Sequence, residues 1–68
     1  MKNNIRVERA KLRMSQQELA DKLSVSRQTI NAIELGKFNP STLLALKMSQ
    51  VFGVSVNEIF SLDEEDFV

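Results

Sequence analysis

Apolar residues recur along the chain at helical spacing, in segments that are separated by polar caps and turns. The first such segment covers residues 4–13, and Asn3 or Asn4 can cap it. Its apolar side consists of Ile5, Ala10 and Leu12, with Val7 or Glu8 between them. The spacing predicts that this segment is an amphipathic helix.

A capping-box sequence precedes the second predicted helix. The hydroxyl of Ser15 can accept a hydrogen bond from the N–H of Glu18, whose carboxylate can reach back to the N–H of Ser15. Apolar residues follow at helical spacing, with the small Ala20 among them. We therefore expect this helix to span residues 16–23.

A second polar cap begins the third predicted helix, after a turn at residues 24 and 25. Ser26 is the expected N-cap of a helix over residues 27–35, and Gly36 suits the left-handed position that ends it. Ile30 and Ile33 are expected to face inward. The polar residues at the start of this helix then lie on or near its opposite side.

Two further helices are predicted in the second half of the chain. Residues 42–52 are the most apolar segment and should end at Gly53. Six of its residues lie in the core stripe or beside it: Leu43, Leu44, Leu46, Lys47, Met48 and Val51. A capping-box sequence at residues 55–58 predicts a short fifth helix that extends through Ile59 and Phe60.

The last segment of the chain, residues 61–68, leaves two alternatives open. Four consecutive acids at residues 63–66 favour a frayed tail. Phe67 and Val68 instead allow docking on a neighbouring molecule, or pairing as a short strand with residues 1–4.

Composition narrows the classes of function. The sequence contains no Cys and no His, and it has no recognisable pair of catalytic carboxylates, so we expect no enzyme, no metal site and no cofactor. It has no long apolar run and no signal-peptide pattern, and the expected compartment is the cytoplasm. The expected organisation is one domain over residues 1–68 with a core at residues 4–60.

Charge is distributed unevenly along the chain. Residues 1–62 carry nine basic and five acidic residues, whereas residues 63–66 are all acidic. A basic body with an acidic tail is compatible with a polyanionic partner and equally with an ordinary solvated surface. Charge alone therefore does not decide the function.

Two helices of eight or nine residues joined by a short turn predict a helix-turn-helix, in which Ala20 allows the second helix to approach closely. The second helix then presents side chains suited to base edges in the major groove of DNA. The expected base contacts are Arg27 to guanine, Gln28 and Asn31 to adenine, and Thr29 to the thymine methyl group.

Other polar residues flank this helix and are placed for DNA phosphates. Gln16 and Gln17 begin the preceding helix, where a backbone N–H and a side-chain amide together can bind one phosphate. Lys37 and Asn39 follow the second helix and are placed for the opposite wall of the groove. Each feature alone is common in solvated helices, but their joint spacing favours DNA binding.

The run from Met14 to Pro40, with the segments SQQELA, VSRQTINAIE and GKFNPS, resembles the helix-turn-helix of the phage-repressor (Cro/XRE) family. The later VFGVSVNEIF fits as well, and small one-domain prokaryotic regulators of the cytolysin-operon repressor type are similar. The resemblance implies an all-α, five-helix, lambda-repressor-like domain, with its motif at residues 16–35 and with short terminal β-strands as a further possibility. Such a domain would bind the major groove of double-stranded DNA as a symmetric dimer on a palindromic operator.

The resemblance also implies roles for individual residues. Gln16 and Ser26 would lie near the DNA backbone, and Arg9 and Glu34 would form a structural ion pair between the first and third helices. One departure is Ser24, which stands where relatives often have Gly. A left-handed serine there costs roughly 1–2 kcal/mol.

The predicted function is that of a sequence-specific transcriptional regulator, most consistent with a repressor that excludes polymerase from the operator. Its homodimer contact is expected along the fifth helix and the C-terminal segment. An alternative is a protein-interaction module or antitoxin on the same fold, with the acidic tail binding a basic partner.

Overall fold

The computed structural model describes all 68 residues and contains five α-helices and a two-stranded antiparallel sheet. The helices are α1 (Ile5–Lys11), α2 (Gln16–Leu23), α3 (Arg27–Glu34), α4 (Thr42–Phe52) and α5 (Val56–Ile59). The strands are β1 (Lys2–Asn3) and β2 (Phe60–Ser61), and a 3-10 helix spans Glu64–Phe67. The predicted five-helix architecture with short terminal strands is confirmed.

Polar caps set the starts of α2 and α3 where the sequence predicts them. The Glu18 N–H donates to Ser15 Oγ at 3.0 Å, and the Ser15 N–H donates to Glu18 Oε1 at 3.0 Å. The hydrogen bond that the Ser15 N–H donates holds the pKa of the Glu18 carboxyl below its ordinary value. Ser26 Oγ accepts the N–H of Thr29 at 3.1 Å in the same way. These bonds satisfy N–H groups that have no partner within their own helices.

A single apolar cluster forms the core and contains residues of all five α-helices and of β2. Ala20 is fully buried at the centre of α2, where its small side chain lets α3 pack closely. The cluster consists of Ile5, Leu19, Ala20, Leu23, Ile30, Ile33, Leu44, Met48, Phe52, Ile59 and Phe60. The inward orientation predicted for Ile30 and Ile33 is confirmed.

The first helix is shorter than predicted and buries fewer residues than the predicted apolar side contains. Because α1 ends at Lys11, Leu12 lies in the turn beyond it and is half exposed. Ala10 is also exposed, so of the predicted apolar side only Ile5 belongs to the core. Of the two alternatives predicted between them, Val7 is 52% exposed, whereas Glu8 is buried and its carboxylate accepts a hydrogen bond from Lys11 Nζ at 3.1 Å.

The fourth helix has the predicted limits, but its buried side is narrower than the sequence suggests. Leu44, Met48 and Phe52 are buried at a spacing of four residues, whereas Leu43 and Leu46 are exposed. No helix of the structure is both long enough and apolar enough to cross a bilayer.

The chain end was predicted incorrectly in two respects. Phe60 belongs to β2 rather than to α5, because it pairs with Asn3 across the sheet. The acidic segment is not frayed, since Asp63 and Asp66 lie 3.3 Å and 3.1 Å from the amino group of Met1. The strand that pairs with the N-terminal residues is β2, and neither Phe67 nor Val68 takes part in it.

Ser24 adopts a left-handed conformation, with φ 58° and ψ 41°, where α2 ends. We expect Ser24→Gly to raise the free energy of unfolding by about 1 kcal/mol, because a residue with a Cβ atom is strained there. The greater freedom of glycine in the unfolded chain offsets part of the gain. Urea unfolding followed by circular dichroism measures the change. Ser61→Gly, in the extended strand β2, is the control and should not stabilise; equal gains in both variants would contradict the assignment.

Candidate nucleic-acid interface

The outer side of α3 carries the residues that the sequence predicts to contact bases. The buried Ile30 and Ile33 fix the opposite side of the helix in the core. Three of the four predicted residues are exposed and one is half-buried, namely Arg27, Gln28 and Asn31 (exposed) and Thr29 (half-buried). The amphipathic helix therefore presents a polar side to solvent, as a groove-binding helix must.

Two shallow depressions lie along this exposed side. One, of about 250 Å³, is lined by Arg27, Gln28, Asn31, Ala32, Leu35 and Lys37. The other, of about 450 Å³, lies toward α1 and is lined by Asn3, Arg6, Arg9, Gln16, Asn31, Glu34 and Leu35. Asn31 borders both, so it stands between the first turn of α3 and the polar residues of α1 and α2.

The hydroxyls of Ser26 and Thr29 first serve the start of α3. They lie 2.9 Å apart, and Ser26 Oγ also accepts the N–H of Thr29. One hydroxyl must donate to the other, so one O–H proton of the pair remains for an external acceptor. Ser26 is exposed and can offer such a bond to a phosphate.

An ion pair links α1 to the C-terminal end of α3. Arg9 Nε donates to Glu34 Oε2 at 2.7 Å and Arg9 Nη2 donates to Glu34 Oε1 at 3.0 Å. Arg9 Nη1 also donates to the carbonyl of Met14 at 3.0 Å. The side chains of Arg9 and Glu34 are 14% and 9% exposed, and hydrogen bonding to Glu34 raises the pKa of Arg9 above its ordinary value. The structure thus contains the pair that the family resemblance implies.

The two glutamines at the start of α2 have different surroundings. Gln16 Nε2 donates to Glu34 Oε1 at 3.3 Å and to Asn31 Oδ1 at 3.2 Å. Both amide protons of Gln16 are therefore used within the protein, which leaves its main-chain N–H for a phosphate. Gln17 Nε2 donates to Asp21 Oδ1 at 2.9 Å and keeps one amide proton available.

The loop after α3 places the remaining predicted phosphate contacts in solvent. Gly36 has a positive φ of 76°, and the N–H of Lys37 donates to the carbonyl of Ala32 at 2.9 Å, which closes the helix end. Lys37 and Asn39 are both exposed, and Lys37 lines the same depression as Arg27.

Sequence reasoning missed two residues beside this surface. Asn3 Nδ2 donates to the carbonyl of Ile33 at 3.0 Å and so binds the C-terminal end of α3. Arg6 is exposed, forms no ion pair and lines the depression that Asn31 borders. The spacing of three residues between Arg6 and Arg9 could have indicated a shared side of α1. No local sequence feature predicts the contact between Asn3 and α3, because the partner of Asn3 lies 30 residues away.

Comparisons with known proteins support the same interpretation. A family model described as helix-turn-helix matches residues 5–59. Over 66 residues the chain is 47% identical to an uncharacterized HTH-type transcriptional regulator of Methanocaldococcus jannaschii, and the alignment covers 97% of this chain and 100% of that protein. It is 42% identical over 66 residues to the uncharacterized HTH-type transcriptional regulator YgzD of Bacillus subtilis, with 97% and 100% coverage.

Among solved structures, the fold is similar to a hypothetical transcription factor, NHTF, from Neisseria, with a TM-score of 0.75 and 29% sequence identity. The match covers 81% of this chain and 62% of that one. The match therefore leaves more than a third of the Neisseria chain uncovered.

Proposed function

Because the chain belongs to the Cro/XRE-type helix-turn-helix family of transcriptional regulators, we propose that it represses transcription by binding a specific operator as a homodimer. The observation that carries this proposal is that α3 exposes a polar side to solvent while its opposite side is buried in the core. A helix of this diameter fits the major groove of B-form DNA. We also propose that the protein acts on DNA in the cytoplasm.

Residues of the first turns of α3 would provide direct base recognition. Arg27 would donate two parallel hydrogen bonds to O6 and N7 of guanine. Gln28 would pair its amide with N6 and N7 of adenine, and the methyl group of Thr29 would contact a thymine methyl. Asn31 lies farther along the same side, where it would reach the neighbouring base pair.

Phosphate contacts would fix the register of α3 in the groove. We propose that the main-chain N–H groups at the start of α2, the free amide proton of Gln17 and the exposed Ser26 would contact the phosphates of one strand. Lys37 and Asn39 supply contacts from the loop after α3. We add Arg6, because this exposed cation has no partner within the protein.

A dimer would place two copies of α3 in successive major grooves about 34 Å apart, which requires a palindromic operator. We place the dimer contact on α5 and the C-terminal segment, where Leu62 and Phe67 are 61% and 76% exposed.

Sedimentation equilibrium should show a dimer, and Phe67→Asp should weaken it. A wild-type protein that stays monomeric on its operator would overturn this part of the proposal.

Selection of bound sites from a random DNA pool tests the proposal most directly. We expect recovered sites with two inverted half-sites whose centres lie about one helical turn apart. A gel shift with the upstream region of the protein's own operon is the companion experiment. Equal binding to all random sequences would overturn the proposed function.

The alternative, an antitoxin or protein-interaction module, required an acidic tail that is available to a basic partner. Two of its four acids are instead engaged within the chain. Asp63 and Asp66 contact the amino group of Met1, and Asp63 lies 3.5 Å from Lys2 Nζ. The structure therefore offers this alternative no specific support.

Lys37→Ala is expected to weaken binding to all DNA sequences alike and to reduce the slope of log K against log salt by about one unit. The reason is that a phosphate contact contributes to the binding free energy through charge and counterion release, which do not depend on the base sequence. Fluorescence anisotropy at several salt concentrations measures both quantities. Lys47→Ala removes the same charge from α4 and should leave the slope unchanged; a sequence-dependent loss in Lys37→Ala would contradict the phosphate assignment.

A further inference from the structure

We propose that Glu34 and Gln16 hold the side-chain amide of Asn31 in one orientation, with its N–H donors toward the groove, so that Asn31 selects guanine. This inference rests on the DNA-binding function proposed above. It changes the expectation from sequence, which was that Asn31 recognises adenine as an unconstrained asparagine amide does.

The constraint begins at the ion pair between α1 and α3. A guanidinium only donates hydrogen bonds, and a carboxylate only accepts them. Glu34 Oε1 accepts from Arg9 Nη2 at 3.0 Å and from Gln16 Nε2 at 3.3 Å. Because Glu34 offers no proton, Gln16 has to turn its NH2 group rather than its carbonyl toward this carboxylate. The charge on Glu34 thus determines which way the amide of Gln16 faces.

The same NH2 group of Gln16 reaches the recognition helix. Gln16 Nε2 lies 3.2 Å from Asn31 Oδ1. A donor at that place requires Asn31 to present its oxygen, which directs its own NH2 group away from Gln16. Asn31 is exposed, and it borders the depression that Arg27 also lines. The orientation is therefore transmitted from α1 through α2 to the surface of α3.

An outward NH2 group offers two donors to a base and no acceptor. The major-groove edge of guanine carries two acceptors, N7 and O6, whereas adenine combines the acceptor N7 with the donor N6. Asparagine binds adenine well only when its donor and its acceptor both face the base. Since Gln16 occupies the acceptor side of Asn31, guanine is the better match.

Gln16→Glu tests the orientation, because a carboxylate cannot donate to Asn31 and is repelled by Glu34, whose Oε1 lies 3.3 Å from Gln16 Nε2. The amide of Asn31 then loses the hydrogen bond that fixes it and can present either its oxygen or its NH2 group to DNA. Affinities are measured by fluorescence anisotropy at one salt concentration, for operators carrying each of the four base pairs at the position that Asn31→Ala affects. We expect the wild type to prefer guanine over adenine there by about tenfold. Gln16→Glu should lose this preference, because a free Asn31 amide can also pair its donor and acceptor with adenine.

Two further variants separate orientation from charge and folding. Gln17→Glu adds the same charge one residue along the helix, but the Gln17 amide bonds to Asp21 rather than to Asn31. It should weaken all operators alike and keep the guanine preference. Gln16→Met has a similar length without a donor, and it should relax the preference without reversing it. This variant also keeps the proposal testable if Gln16→Glu does not fold.

The outcomes distinguish this inference from the function on which it rests. If Gln16→Glu and Gln16→Met both keep the wild-type guanine preference, the orientation proposal is overturned and DNA recognition stands. If Asn31→Ala weakens every sequence equally, Asn31 contacts phosphate and the guanine assignment is wrong. If the wild type itself shows no preferred sequence, the proposed function fails as well.

Discussion

Arg9→Met is expected to lower the free energy of unfolding by about 3 kcal/mol, because it leaves the carboxylate of Glu34 without its charged partner. Because the side chain of Glu34 is only 9% exposed, water can replace only in part the two hydrogen bonds that Arg9 donates. The variant also removes the donor that Arg9 gives to the carbonyl of Met14. The estimate lies at the lower end of the range for broken buried pairs, since both side chains retain some contact with solvent. Urea unfolding followed by circular dichroism at pH 7 measures the loss.

Arg6→Met is the matched control, because it makes the same change on the same helix at an exposed residue without an ion pair. Its effect should stay within about 0.5 kcal/mol. The double variant Arg9→Met/Glu34→Leu should recover part of the loss, since no unpaired charge remains. Equal destabilisation by Arg6→Met and Arg9→Met would contradict a specific role for the ion pair.

Arg27→Ala is expected to weaken binding to the preferred operator by about 1–3 kcal/mol per half-site and to relax the preference at one base pair of that half-site. Arg27 is exposed and forms no ion pair within the protein, so the stability of the fold should not change. The loss reflects the two hydrogen bonds that a planar guanidinium donates to guanine. Fluorescence anisotropy at a fixed salt concentration, with each base pair placed in turn at that position, measures both effects.

Arg27→Lys separates charge from geometry. Lysine keeps the positive charge and its attraction to phosphates, but it lacks the planar fork that matches O6 and N7. We expect this variant to lose the preference for guanine while losing less affinity than Arg27→Ala. If Arg27→Ala binds its best site as tightly as the wild type, the assignment of Arg27 to guanine is wrong.

Several features of the fold followed from local sequence signals. The limits of α2 and α4 were predicted correctly, because caps and helical spacing act within about four residues along the chain. The outward direction of Arg27 and Gln28 followed from the apolar spacing of Ile30 and Ile33 on the other side of α3. A short amphipathic helix with capped ends leaves few alternatives for which side is buried.

The surroundings of the candidate site were less predictable. Arg9 and Glu34 are 25 residues apart, and nothing in their local spacing indicates that they meet; only the family resemblance implied it. The engagement of both Gln16 amide protons had no signal in the sequence either. Such bonds depend on the angle and distance between helices, which the packing of the whole core determines.

By itself, the sequence determined the number of helices, most of their limits, the core side of α3 and the polar character of its exposed side, because these depend on neighbouring residues. Only the tertiary structure decided that Glu8 is buried while Leu12 is exposed, that Phe60 is in a strand, and that the acidic segment binds Met1. The physical reason is that a residue's burial and its distant partners depend on how elements pack in three dimensions. Residues far apart in the sequence provide those contacts, and their periodicity does not encode them.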